Sequence, residues 1–246
     1  MSIAEKLTTV AENVPKVYEA GKKAEYDRFW DIYQNYGERV NYDNAFSGEG
    51  WTTELFKPKY NIIPTNCYMT FRQNKMNIDL VEYLENLGIE LDFSQSTNFQ
   101  FTFHTSNFTH IGVVDARNST TASSLDSTFY NNRSLVTIDK IILNEQATKQ
   151  FASTFNLCTG IQNVAFEGEI NTDGLNFQWS TKLSKDSITN IFNQLSPTTS
   201  GLKITLSKTA VNDAFGIDVG DETTYPEGSE YYTLRHSKDN WTISYL

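Results

Sequence analysis

Cysteine, histidine, basic charge and long apolar runs are all scarce in this chain, and each shortage closes off a class of function. The only two cysteines among 246 residues, Cys67 and Cys158, stand 91 residues apart. They form neither a Cys-x-x-Cys spacing nor a disulfide framework. Two buried thiols are expected rather than one long-range disulfide. The three histidines, His104, His110 and His236, fit no His-Glu-x-x-His or Cys/His pattern, so no zinc site is signalled. Twenty basic against thirty acidic residues give a net charge of −10, without a Lys/Arg cluster interleaved with aromatics. Nucleic acid is therefore not an expected partner. No run approaches the roughly 18 apolar residues of a membrane span, so no membrane insertion is expected. The opening "MSIAEKLTTVAENVPKVYEA" has no continuous apolar stretch and no small-residue cleavage site. No secretory signal is expected, and a virion or cytoplasmic location is favoured over secretion. Gly-x-Ser-x-Gly, P-loop and Gly-x-Gly-x-x-Gly motifs are missing too, and "SGEGW" at 47–51 continues wrongly for a nucleotide loop. No cofactor is implied.

What the chain does have is core-building material: 39% hydrophobic and 13% aromatic residues, in a Ser/Thr/Asn-rich setting with a mean hydropathy of −0.46. Residues 2–36 read as helix. Ile3, Leu7, Val10, Val14 and Val17 follow the alternating four- and three-residue spacing of a coiled-coil seam. Pro15 kinks this helix or starts a second one. Tyr26, Phe29, Trp30, Tyr33 and Tyr36 add an aromatic face. Residues 1–37 are thus an attachment or oligomerisation segment that could join copies of the chain into a homo-oligomer. Residues 38–66, rich in glycine and proline, read as a linker and leading cap.

From 67 to 215 short apolar runs recur. "NIDLVEYLENLGIELDF" predicts a helix with Ile78, Leu80, Val81 and Leu84, then a strand with Ile89, Leu91 and Phe93. Further on, Ser184 caps a helix carrying Ile188, Ile191, Phe192 and Leu195, and Leu202, Ile204 and Leu206 alternate as a strand. Residues 216–246 are expected to close the chain with a β-hairpin of "YYTLRH" and "NWTISYL".

One rule aligns two stretches: Phe-x2-[Asn/Cys]-x2-[Leu/Ile]-x2-[Ile/Val]. Phe129, Asn132, Leu135 and Ile138 obey it, as do Phe155, Cys158, Ile161 and Val164. A weaker copy runs Phe103, Phe108, Ile111, Val113, without the Asn/Cys position. The Phe fills the layer between adjacent coils, the Asn or Cys sits in a turn beside buried backbone groups, and the aliphatics point inward from a short strand. A unit of about 26 residues lies in the leucine-rich-repeat range, and such units must stack to bury their apolar faces.

"FASTFNLCTGIQNVAFEGEI", followed by "STKLSKDSITNIFNQLS" and "GLKITLS", resembles the BspA-like leucine-rich repeat family, of the kind encoded by gut bacteria and their phages. The resemblance covers about 67–215 and is sharpest over 125–206. It implies an α/β leucine-rich-repeat solenoid of short parallel strands and short helices or turns, preceded by the N-terminal helix and closed by the hairpin cap. It also implies a non-enzymatic adhesion, recognition or phage structural protein whose surface binds a protein or cell-surface glycan.

Two groups of carboxylates could carry chemistry. Glu167 and Glu169 on one strand would share a face about 6.5–7 Å apart, within the span of paired-carboxylate hydrolases. A polysaccharide hydrolase, helped by exposed Trp179 and Tyr130, is the alternative reading; the simpler account of the pair is a solvated strand edge. Asp213, Asp218, Asp221 and Glu222 crowd one loop, without the spacing of an EF-hand. Four Asn-x-Ser/Thr sequons, at Asn107, Asn118, Asn132 and Asn240, are what an Asn/Thr/Ser-rich sequence produces by chance.

Overall fold

Phe46, Phe71, Phe103, Phe129, Phe155 and Phe177 form a single column of rings through the interior. Successive centroids lie 5.3, 5.3, 5.7, 5.4 and 4.4 Å apart, with planes within 29° of parallel. The computed structural model describes Trp30 and residues 41–119, 122–144 and 151–246. The seam positions Ile3, Leu7, Val10, Val14 and Val17 lie outside the described residues, as does the rest of the 2–36 helix apart from Trp30. Trp30 itself is helical and fully buried against Phe46, Trp51 and Phe56.

Backbone pairing holds the column in register. Alternate amides of each turn donate to carbonyls of the next: Met69, Phe71 and Gln73 to Gln100, Thr102 and His104; Ser127, Phe129 and Asn131 to Ala152, Thr154 and Asn156. The residues two before and two after Phe71, Phe103, Phe129 and Phe155 take left-handed backbone. Met69, Phe101, Ser127 and Ser153 precede these rings, and Gln73, Thr105, Asn131 and Leu157 follow them, with φ between 54° and 62°. That conformation costs roughly 1–2 kcal/mol per residue, and the cross-turn hydrogen bonds offset it.

Buried polar side chains follow the same register. The hydroxyls of Thr70, Thr102, Thr128 and Thr154, each just before a Phe, donate to Tyr42, Cys67, Phe99 and Leu125 carbonyls at 2.7–2.9 Å. Three residues after each of the last five rings stand Asn74, Ser106, Asn132, Cys158 and Ser180. Asn74 Nδ2 donates to Phe46 O (3.1 Å), Asn132 Nδ2 to Ser106 Oγ (2.9 Å), Cys158 Sγ to Phe129 O (2.9 Å) and Ser180 Oγ to Cys158 O (3.1 Å). This is the turn position of the sequence rule. Ser106 fills it in the copy that had none, because a hydroxyl satisfies a neighbouring group as an amide does. In that copy Val114, not Val113, is buried. Cys67 and Cys158 are both buried free thiols.

Among the described residues the architecture is mixed α/β, with short parallel strands in two sheets and no closed barrel. β1 (His110–Asp115), β2 (Thr137–Ile142) and β3 (Asn163–Glu167) pair in parallel in that order, placing Ile111, Ile138 and Val164 side by side. β4 (Asn176–Phe177), β5 (Leu202–Leu206) and β6 (Trp241–Tyr245) form the second parallel sheet. Among the described residues four α-helices stand out: α1 (Leu80–Asn86), α2 (Lys185–Gln194), α3 (Lys208–Phe215) and α4 (Glu230–His236). Each is capped by the polar side chain before it: Asp79, Ser184, Ser207 and Ser229 accept from the amides of Glu82, Ser187, Ala210 and Tyr232. The α2 and β5 expectations hold, with Ile188, Ile191 and Phe192 buried.

Two expectations do not hold. Residues 89–93 form no strand; Leu91 makes a single parallel bridge to Ile62. The closing hairpin is absent as well. "YYTLRH" lies in α4, started by Ser229, with Glu230 in the first turn and Arg235 and His236 in the last, an arrangement favourable to the helix dipole. β6 pairs in parallel with β5, which requires a crossover between them, and α3 and α4 lie on that crossover.

Candidate binding groove beside the first helix

The step from Phe71 to Phe103 is longer than the 26 residues separating Phe103, Phe129 and Phe155, and the extra length builds a wall. Asp79 starts α1, and Gly88, at φ 68°, turns the chain out of it. The return segment anchors itself through buried Ile89 and Phe93, and through Asn61, whose Oδ1 accepts from Glu90 N (3.0 Å). α1 lies so close to β1 that a Cβ on Gly112 would come within 3.2 Å of Val81 Cγ2.

Between α1, the 88–93 segment and the face of β1–β2 lies a groove of about 620 Å3. Val81, Leu84, Ile89, Phe93 and Val113 supply its apolar lining. Val113, on the edge strand of the first sheet, is 44% exposed. Glu85, Glu90 and Asp139 are the charged residues of the lining, and no lysine or arginine among the described residues joins them.

At the groove's end His110 is held between two carboxylates. Its Nδ1 lies 2.9 Å from Asp79 Oδ2 and its Nε2 lies 2.8 Å from Asp139 Oδ1. The three come from successive turns, since Asp79 and His110 bridge in parallel and His110 pairs with Thr137. Burial alone would lower the imidazole's affinity for a proton, but hydrogen bonds and charge from Asp139 and Asp79 outweigh it, and the pKa rises above the usual histidine value. Burial likewise would raise Asp79, yet the Glu82 amide and His110 hold its carboxyl below the usual range. With Oδ1 of Asp139 on His110, Oδ2 faces the space over Gly112, 3.8 Å from where a Cβ would stand.

The structure does not bring the other sequence candidates together. Glu167 closes β3 and pairs with Lys140 at 2.7 Å. Glu169 lies beyond Gly168, whose φ of 94° breaks the strand, and its charge acts on Lys238. The shared-face geometry of one continuous strand is therefore lost. Asp213 lies within α3, Asp218 pairs with Lys208 at 2.9 Å, and Asp221 Oδ1 accepts from Thr223. Among the described residues no group of three His, Cys, Asp or Glu side chains is placed to hold a metal ion. His104 stacks on Tyr130 at 4.8 Å, part of a half-buried surface row with Phe101 and Tyr68. His236 stacks on Tyr232 at 3.9 Å. Trp179 is 44% exposed.

The His110 cluster has no local signature: its members are 31 and 29 residues apart, and only the cross-turn register joins them. No helix among the described residues is long and apolar enough to cross a membrane. Compared with protein-family models, curated proteins and solved structures, the chain matches none.

Proposed function

We propose that the chain is a non-enzymatic recognition module: a leucine-rich-repeat solenoid of BspA-like kind, serving as a phage or prophage virion component or a bacterial surface-type protein. The observation that carries this reading is the six-ring phenylalanine column with its cross-turn hydrogen bonds, since a frame of stacked equivalent turns positions surface side chains instead of assembling a reaction centre. Its ligand is a protein segment or a cell-surface glycan, and the groove beside α1 is the face offered to it. The N-terminal segment attaches the module or joins copies through Ile3, Leu7, Val10, Val14 and Val17.

Binding to arrayed peptides and oligosaccharides tests the module, with Val113→Arg as the groove-blocked control. Binding that Val113→Arg removes supports the reading. Release of reducing ends from bacterial polysaccharides, or no binding to either array, overturns it. For the seam, light scattering of Leu7→Glu/Val14→Glu should show a smaller assembly than the parent chain, and equal masses discard that role. Substitution is the right test because a truncation at residue 38 would also remove Trp30 from the core.

A further inference from the structure

We infer that the groove beside α1 takes a short peptide segment in which a lysine or arginine stands next to an aliphatic or aromatic side chain, with Asp139 as its charge partner. The inference rests on the recognition reading above and names the ligand of that site. Its volume, about 620 Å3, suits a short run of side chains rather than a folded domain. Its floor is apolar, through Val81, Leu84, Phe93 and Val113, so a wholly hydrophilic cation would leave most of the site unused.

Charge complementarity decides the other half. All three charged lining residues are acidic, on a chain of net charge −10. Glu90 is partly occupied by Asn61, whose Nδ2 donates to its Oε2 at 3.3 Å. Asp139 Oδ2 takes no hydrogen bond from the described residues and faces the groove over Gly112. A cation reaching over the apolar floor meets that oxygen. His110 competes for the same carboxylate: protonated, it neutralises Asp139 from behind; neutral, with Asp79 fixed as the cap of α1, it leaves Asp139 as the groove's own charge. Asp79 and Asp139 are the charged groups against the ring, and Glu85 and Glu90 face the groove from α1 and the segment after it.

The test uses fluorescence anisotropy of the full chain with three rhodamine-labelled pentapeptides: Gly-Leu-Arg-Phe-Gly, Gly-Leu-Glu-Phe-Gly and Gly-Ser-Arg-Ser-Gly. The first should bind most tightly. Asp139→Asn should weaken it roughly threefold, the effect of one partly exposed charge pair, and Glu85→Gln/Glu90→Gln/Asp139→Asn by roughly tenfold or more. Affinity should rise between pH 5 and pH 9 in the parent and stay flat in His110→Gln. Should the triple variant fail to fold, the ranking of the three peptides and the pH profile on the parent chain decide alone. Equal affinities for the three peptides overturn the inference. So does oligosaccharide binding, or concentration-dependent dimerisation, that the triple substitution abolishes, because either gives the groove a different occupant. Loss of the peptide result with glycan-array binding intact sinks only this inference; silence on both arrays, or reducing-end release, sinks the recognition reading itself.

Discussion

His110 is the residue whose behaviour should differ most from that of its type. Its proton is held by two carboxylates, and its pKa is raised in the folded chain. The stabilisation from the charged ring is therefore fully present below the unfolded histidine value and is lost as pH rises through the higher folded one. Asp79, lowered by the Glu82 amide and the ring, sets the acid side: its share is lost as pH falls through its depressed folded pKa. His110→Gln should consequently cost about 1 kcal/mol near pH 5, at the upper end for a partly exposed ion pair, and almost nothing at pH 9. Urea titrations at the two pH values check this, and a pH-independent difference contradicts it. The Asp79–His110–Asp139 arrangement was illegible in the sequence because no local pattern encodes a contact across three turns. Asn132 and Cys158 were legible for the opposite reason, since successive turns reuse a small polar residue at one place, where Asn74, Asn132 and Cys158 each donate to the carbonyl of the preceding phenylalanine.

At the level of elements, α2 acts on the sheet by an unusual route. Ser187 Oγ accepts from Val164 N at 2.9 Å, and Asn190 accepts from Phe166 N at 2.7 Å while donating to Phe166 O at 3.2 Å. Two side chains one helical turn apart thus pair the outer edge of β3 as a neighbouring strand would, and the open edge is covered. Ser187→Ala/Asn190→Ala should destabilise the chain by about 2 kcal/mol through unsatisfied backbone groups, with more aggregation on partial unfolding. Asn193→Ala, on the same helix but without such bonds, is the control, and equal unfolding midpoints would refute the role. The α2 sequence announced itself through Ser184 and its 3.6-residue period. "YYTLRH" misled because a six-residue run fits alternation and helix equally well, and the capping power of Ser229 had to decide. Phe46, Phe71 and Phe177 were missed as members of the column because the intervals around them are unequal, although their rings stack as tightly as those the rule found.

Across the whole molecule, one apolar core runs from Trp30 to Ile243, so the described chain should unfold as one unit. The two thiols report this directly. Cys67 is pushed up to about 12 by burial despite the Ser96 and Thr70 contacts, and Cys158 reaches about 12 by burial as well. Neither thiolate is available to reagent in the folded state. In native buffer both should resist a disulfide-exchange reagent, and in urea both should react at the same midpoint. Separate midpoints would mean that the early and late turns unfold independently, as stacks with weak coupling between neighbours can. Phe129→Ala, in the middle of the column, should cost about 3–5 kcal/mol and lower both thiol midpoints together.

The phenylalanine column has a consequence for how this chain can change. Ring meets ring at nearly constant spacing whether the chain takes 26 residues between them or detours through α1. The spacing of the column is therefore indifferent to how many residues are looped out between its anchor points. Between Asp79 and Phe93, the stretch that walls the groove, the exposed positions could be exchanged and the turn after α1 lengthened or shortened while Leu80, Leu84 and Phe93 keep their seats. Specificity could drift at that one detour while the rest of the framework stays put.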